Sequence, residues 1–126
     1  MENAQLNSIS PLDGRYAAKV ERLRELFSER GLIYHRLLVE VRWVQFLADQ
    51  PDVTGIGPFS PVVNDFLDRL IADFGREGAE RVKAIEAITN HDVKAVEYYL
   101  AERFGDDGDL QAIKPFLHFA CTSEDI

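Results

Sequence analysis

Apolar residues recur along this chain at helical intervals, and no stretch alternates as a half-buried strand would. The clearest run follows Ser60 and Pro61, which read as an N-cap and a first helical residue. Behind them Val62, Val63, Phe66, Leu67, Leu70, Ile71 and Phe74 trace one helical face. Val93, Val96, Leu100 and Phe104 trace another, with Thr89 or Asn90 predicted as its cap and Asp92 in its first turn. A long helix is predicted over residues 32–48, where Leu32, Ile33, Leu37, Leu38, Val41, Val44 and Leu47 form a stripe. Val39, Trp43 and Phe46 fall outside that stripe, which predicts contacts on a second side. Arg36 and Glu40 stand one turn apart on it and are read as a surface ion pair.

Shorter helices complete the pattern. One starts near Ala17 and carries Val20, Leu23, Leu26 and Phe27, with a break at 28–31 after it. Another covers 79–88 with Val82, Ile85 and Ile88, behind a short link bounded by Gly75 and Gly78. A sixth carries Ile113, Phe116 and Leu117. Residues 50–59 read as a loop, and residues 1–9 as a loosely packed start. The predicted fold class is therefore all-α, with about six helices. Residues 1–121 are read as one helical domain. Thr122 to Ile126 look like a cap and the first turn of a further helix, with Thr122 and Asp125 in capping-box spacing. On that reading the chain is a fragment of a longer protein.

Charge and composition narrow the function. The 126 residues carry a formal net charge of −8, which argues against nucleic acid as a partner. Any anion must then be held by local groups. No apolar run reaches the ~18 residues of a membrane span, and the polar start has no export signal core, which points to the cytoplasm. The single cysteine, Cys121, forms no internal disulfide and reads as a half-buried filler. Asp106, Asp107 and Asp109 crowd one turn, but they lack the spacing and closing Glu of a calcium loop.

Three polar clusters could carry chemistry. Arg15 and Tyr16, after the bend at Gly14, can offer a guanidinium and a phenol to a phosphate; they can equally be a surface Arg and an anchoring Tyr. Asn90, His91 and Asp92 place an imidazole beside a carboxylate at a helix start, suited to acid–base work or simply to capping. His118 with Thr122 and Ser123 offers hydroxyls and backbone donors to an anion, or only a good cap. His35 lies within a helix and reads as packing or surface. There is no phosphate-binding Gly-rich loop, zinc-protease pair or Gly-flanked serine.

Taken in order, Ser10-Pro11-Leu12-Asp13-Gly14-Arg15-Tyr16, then Thr89 to Tyr98 with its Asn90-His91-Asp92-Val93 core, then His118 to Ile126 with Thr122-Ser123-Glu124-Asp125-Ile126, resemble the N-terminal region of the bacterial adenylosuccinate lyase family. That family sits in the all-helical fumarase/aspartase superfamily. The resemblance implies β-elimination of fumarate from adenylosuccinate, giving AMP, and from succinylaminoimidazole carboxamide ribotide in purine synthesis. It also implies a homotetramer in which several subunits share each site, and no metal or organic cofactor. The family's proton-moving serine and histidine belong to central-domain motifs that this chain does not contain. What the resemblance carries over is binding. Arg15 and Tyr16 match the phosphate end, and Asn90, His91 and Asp92 the pocket wall. Thr122 and Ser123 match a carboxylate-holding pair, and His118 a site-lining histidine. The competing readings are another superfamily lyase, of argininosuccinate lyase or fumarase type, and a non-catalytic helical interaction module.

Overall fold

A computed structural model describes residues 4–126, and among them all regular structure is helical. Six α-helices follow in order: α1 Glu21–Phe27, α2 Glu29–Ala48, α3 Pro61–Ala72, α4 Arg76–Thr89, α5 Asp92–Phe104 and α6 Gly108–Ile113. Short 3-10 turns occupy Ala17–Lys19, Lys114–Phe116 and Ser123–Asp125. The chain divides into two compact units, residues 1–32 and residues 33–126, and the division falls inside α2.

In the first unit, side chains organise the loop before the helices. Asp13 Oδ1 accepts from the Ser10 N–H at 2.8 Å, and Ser10 Oγ accepts from the Leu12 N–H at 3.1 Å. The predicted helix from Ala17 is only a 3-10 turn followed by the seven residues of α1, and its apolar face buries nothing. Leu23, Leu26 and Phe27 stay exposed, and Leu23 and Phe27 flank, with Leu12, a largely apolar cleft of about 370 Å³. The predicted break at 28–31 is a single residue. Ser28 ends α1 and caps α2, its Oγ accepting from the Gly31 N–H at 3.1 Å. Gly31 thus lies inside a helix rather than in a linker. The reason is steric: a Cβ there would stand 2.5 Å from the Glu25 carbonyl oxygen and 2.8 Å from that of Leu26.

The second unit holds the core. Ile33, Leu37, Val41, Val44 and Leu47 of α2 are buried, as are Val63, Leu67, Leu70 and Ile71 of α3. Ser60 caps α3 as predicted, accepting from the Val63 N–H at 3.2 Å. Val93, Val96, Leu100 and Phe104 of α5 are all buried, so the spacing read for that helix holds. Each of the fully buried leucines contributes roughly 1.5–3 kcal/mol. Aromatic edges knit the helices: Phe66 meets Phe104 at 6.2 Å between centroids, and Phe74 meets Tyr99 at 5.6 Å. Val39 and Phe46 remain exposed on α2, off its buried stripe.

Helix α4 differs from the pattern-based reading in its start and in its buried face. α4 begins at Arg76, not Ala79, with Gly78 in its first turns; a Cβ on Gly78 would fall 2.6 Å from the Phe74 ring. The glycine there serves close packing rather than a chain break. Ile88, placed by spacing on the buried face of α4, is exposed.

Gly31→Ala tests the α1–α2 junction. Helix propensity alone would favour alanine by about 1 kcal/mol, but the clash is with backbone that cannot rotate away. The variant is expected to lose about 1–3 kcal/mol in urea unfolding; an unchanged or raised midpoint would show that the junction is loose.

Candidate functional site

The start of α5 is built differently from its sequence-based reading. The cap is His91, not Thr89 or Asn90: its Nδ1 accepts from the Lys94 N–H at 3.1 Å. Asn90 instead closes α4 in the left-handed region, φ 54°, where asparagine is among the few residues tolerated. Asp92 Oδ1 accepts from the Val93 N–H at 2.9 Å, and its Oδ2 pairs with Arg36 Nη1 of α2 at 2.8 Å. The Val93 N–H and then Arg36 hold the Asp92 carboxyl below its usual range. The Val93 and Lys94 N–H groups of this helix start are therefore already used. What remains outward is side chains: His91 and Asp92 are about half exposed, and Nδ1 capping leaves the far nitrogen of His91 uncommitted.

His118 lies on the turn after Lys114–Phe116 and is tied down on its Nδ1 side. Nδ1 stands 2.6 Å from Glu40 Oε1 and 4.0 Å from Glu97 Oε1. Glu40 is fully buried, and its Oε2 has no hydrogen-bond partner among the described residues. The expected Arg36–Glu40 surface pair does not exist. Arg36 turns to Asp92 and Glu40 turns inward to His118, because positions 33, 37, 40, 44 and 47 form one unbroken buried stripe. Burial pushes the Glu40 carboxyl above its ordinary range, against the opposing pull of His118.

These contacts form one polar seam. His91 bonds the Lys94 N–H, Lys94 Nζ reaches Glu97 Oε2 at 3.0 Å, and Glu97 lies beside the His118–Glu40 pair. The turn that carries His118 is strained: His118 and Ala120 have φ of 60° and 59°, each costing roughly 1 kcal/mol or more for an L-residue. Trp43 Nε1 donates to the Phe119 carbonyl at 2.7 Å, between those two residues. Two side chains of α2 thus grip this turn. Beyond it, Asp125 Oδ2 accepts from the Thr122 N–H at 2.8 Å and from Thr122 Oγ1 at 3.3 Å. Thr122 is exposed but engaged in that cap. Ser123 is exposed, and its hydroxyl has no partner among the described residues. The carboxylates of Asp106 and Asp107 are used on protein donors, Gln111 Nε2 and the N–H groups opening α6.

Arg15 and Tyr16 belong to the first unit. Both are exposed; the Arg15 guanidinium lies 4.9 Å from the Tyr16 ring centroid and Lys19 Nζ 5.9 Å from it. Two cations beside one phenol ring make a locally basic spot in an acidic chain. The sequence reading missed Glu40, Glu97, Lys94 and Arg36. One signal was available: Glu40 is the only charged residue at a stripe position of α2, and a charge there must find a buried partner.

In the second unit the imidazole of His91 and the hydroxyl of Ser123 face outward from a helical scaffold. Over all 126 residues the chain is 52% identical to adenylosuccinate lyase of Haemophilus influenzae and 49% identical to that of Escherichia coli, spanning 28% of the length of each. It is 46% identical over 121 residues, 96% of the chain, to the enzyme of Legionella pneumophila, spanning 26% of it. No protein-family model matches the chain. Along its whole length the chain is thus similar to adenylosuccinate lyases, of which it spans little more than a quarter.

The Glu40 carboxyl gives a pH prediction. A raised folded-state value means that Glu40 takes up a proton more readily in the folded chain than in the unfolded one. That contribution is complete at low pH and disappears as pH rises through the folded value, leaving a buried charge. Glu40→Gln keeps the shape without the charge. Its melting temperature relative to the parent chain is expected to increase between pH 4 and pH 7; a difference that is flat or falls with pH would contradict the burial cost.

Proposed function

We propose that this chain is the N-terminal part of an adenylosuccinate lyase. Such an enzyme eliminates fumarate from adenylosuccinate, giving AMP, and from succinylaminoimidazole carboxamide ribotide. The observation that carries the reading is the 52% identity over the whole chain to the Haemophilus influenzae enzyme. The proposed substrate bears a phosphate and two carboxylates, so it needs several separate donor groups in a chain of net charge −8. In this reading Arg15 and Tyr16 hold the phosphate end. Asn90, His91 and Asp92 line the pocket. Thr122 and Ser123 bond a carboxylate, and the outward nitrogen of His118 faces the ligand.

Removal of a proton next to a carboxylate builds negative charge on it, and fixed donors aimed there lower the barrier. The proton-moving serine and histidine are assigned to the remainder of the enzyme, since this chain spans 28% of its relatives' length. No metal or organic cofactor is needed for such an elimination. The parent enzyme is proposed to work in the cytoplasm as a homotetramer that completes each site with residues of several subunits. Absence of any helix long and apolar enough to cross a membrane, among the described residues, is compatible with that setting.

Fumarate release from adenylosuccinate by the full-length enzyme tests the reading, and no turnover would overturn it. The 126-residue chain alone is expected to release none. In the full-length protein, His91→Ala is expected to lower kcat/KM about a hundredfold. Arg15→Ala is expected to raise KM about tenfold with a small effect on kcat, as for a contact made equally in ground and transition states. Unchanged kinetics in both variants would remove these residues from the site.

A further inference from the structure

We propose that Glu40 is a positioning residue that holds His118 as the Nδ1–H tautomer, so that Nε2 is presented to the bound anionic substrate. The placing of His118 at substrate rests on the adenylosuccinate lyase reading; the hold itself does not. Position 40 lies on the buried stripe Ile33, Leu37, Val44, Leu47, all at or below 4% exposure. A leucine or methionine there would complete the core. Instead a carboxylate is buried, with Oε1 spent on His118 and Oε2 unpartnered. Such an arrangement gives up stability that an apolar residue would keep. At the other end of the contact, His118 occupies a left-handed backbone conformation that an L-residue adopts at a cost. Two unfavourable features meet in one 2.6 Å contact, and packing requires neither.

The consequence is directional. A carboxylate accepts only, so Nδ1 must donate, and the nitrogen across the ring is left to the ligand. Nε2 has no partner among the described residues, and the His118 side chain keeps 18% of its surface accessible. Unprotonated, Nε2 accepts from an N–H or O–H; protonated, it donates to an anionic oxygen along the same line. The groups facing the pair are Glu97, whose second oxygen is held by Lys94, the Lys94 ammonium itself, and the Cys121 thiol, whose ionisation burial and then Glu40 oppose. None of them offers Nδ1 a closer acceptor than Glu40.

The decisive experiment is nitrogen NMR of ¹⁵N-histidine in the 126-residue chain at pH ~9, above the ordinary histidine range, with His118 assigned by its loss in His118→Gln. The expected spectrum of the parent chain shows His118 protonated at Nδ1. Glu40→Met removes the acceptor and is expected to abolish that preference, while Glu40→Gln, which keeps an acceptor oxygen, restores part of it. A parent His118 protonated at Nε2, or one whose tautomer ignores Glu40→Met, overturns the proposal whatever the enzyme's activity. In the full-length enzyme, Glu40→Met is expected to lower kcat/KM about tenfold or more, with Glu40→Gln between it and the parent. An active parent enzyme with an unaffected Glu40→Met variant would refute the positioning role. An inactive parent would refute the lyase reading and leave the NMR result to decide the tautomer.

Discussion

A carboxylate without access to water sits where a leucine would complete the buried stripe of α2, and its one bond is to the imidazole of His118. Much of the polar architecture follows from that contact. Because Glu40 turns inward, Arg36 is released to pair with Asp92 at the start of α5. Because His118 is held, a turn with two L-residues at positive φ can persist, with Trp43 bonding the carbonyl between them. The strain of the turn and the cost of the buried charge are offset by the surrounding core, which packs nineteen buried apolar residues into one cluster.

The same economy shapes the electrostatics. A chain with net charge −8 repels anions at long range, so attraction has to come from groups fixed at short range. The helix starts do not supply it. At α5 the first N–H groups are taken by His91 and Asp92, and before the last turn the Thr122 N–H is taken by Asp125. Side chains remain: the far nitrogens of His91 and His118, the Ser123 hydroxyl, and the paired cations around Tyr16.

The sequence pattern made the helices of the second unit legible because one physical rule, burial of a periodic face, dominates there. Ser60 capping α3 and Val93, Val96, Leu100 and Phe104 lining α5 needed only local spacing. Boundaries failed where a glycine was read as a break: Gly31 and Gly78 are glycines because backbone or ring atoms approach within 3 Å of a Cβ position, which no local pattern reveals. The cap of α5 was misplaced because Thr89 and Asn90 are types that capping rules favour, whereas Asn90 takes up the left-handed turn closing α4 and leaves the role to His91. Glu40 was misassigned because a charge at i, i+4 from an arginine satisfies a surface rule. The competing signal, its place on an otherwise apolar stripe, points to a partner 78 residues away that spacing cannot name.

Through their 2.6 Å contact, Glu40 and His118 are proposed to act as one unit in holding the turn that leads to Thr122 and Ser123. A double-mutant cycle measures this most directly, with urea unfolding of the parent chain, Glu40→Gln, His118→Gln and the double variant at pH 7. The account predicts a coupling energy of about 1 kcal/mol or more between the two positions. Strict additivity, within about 0.3 kcal/mol, would show that the two residues are merely neighbours and would contradict the account.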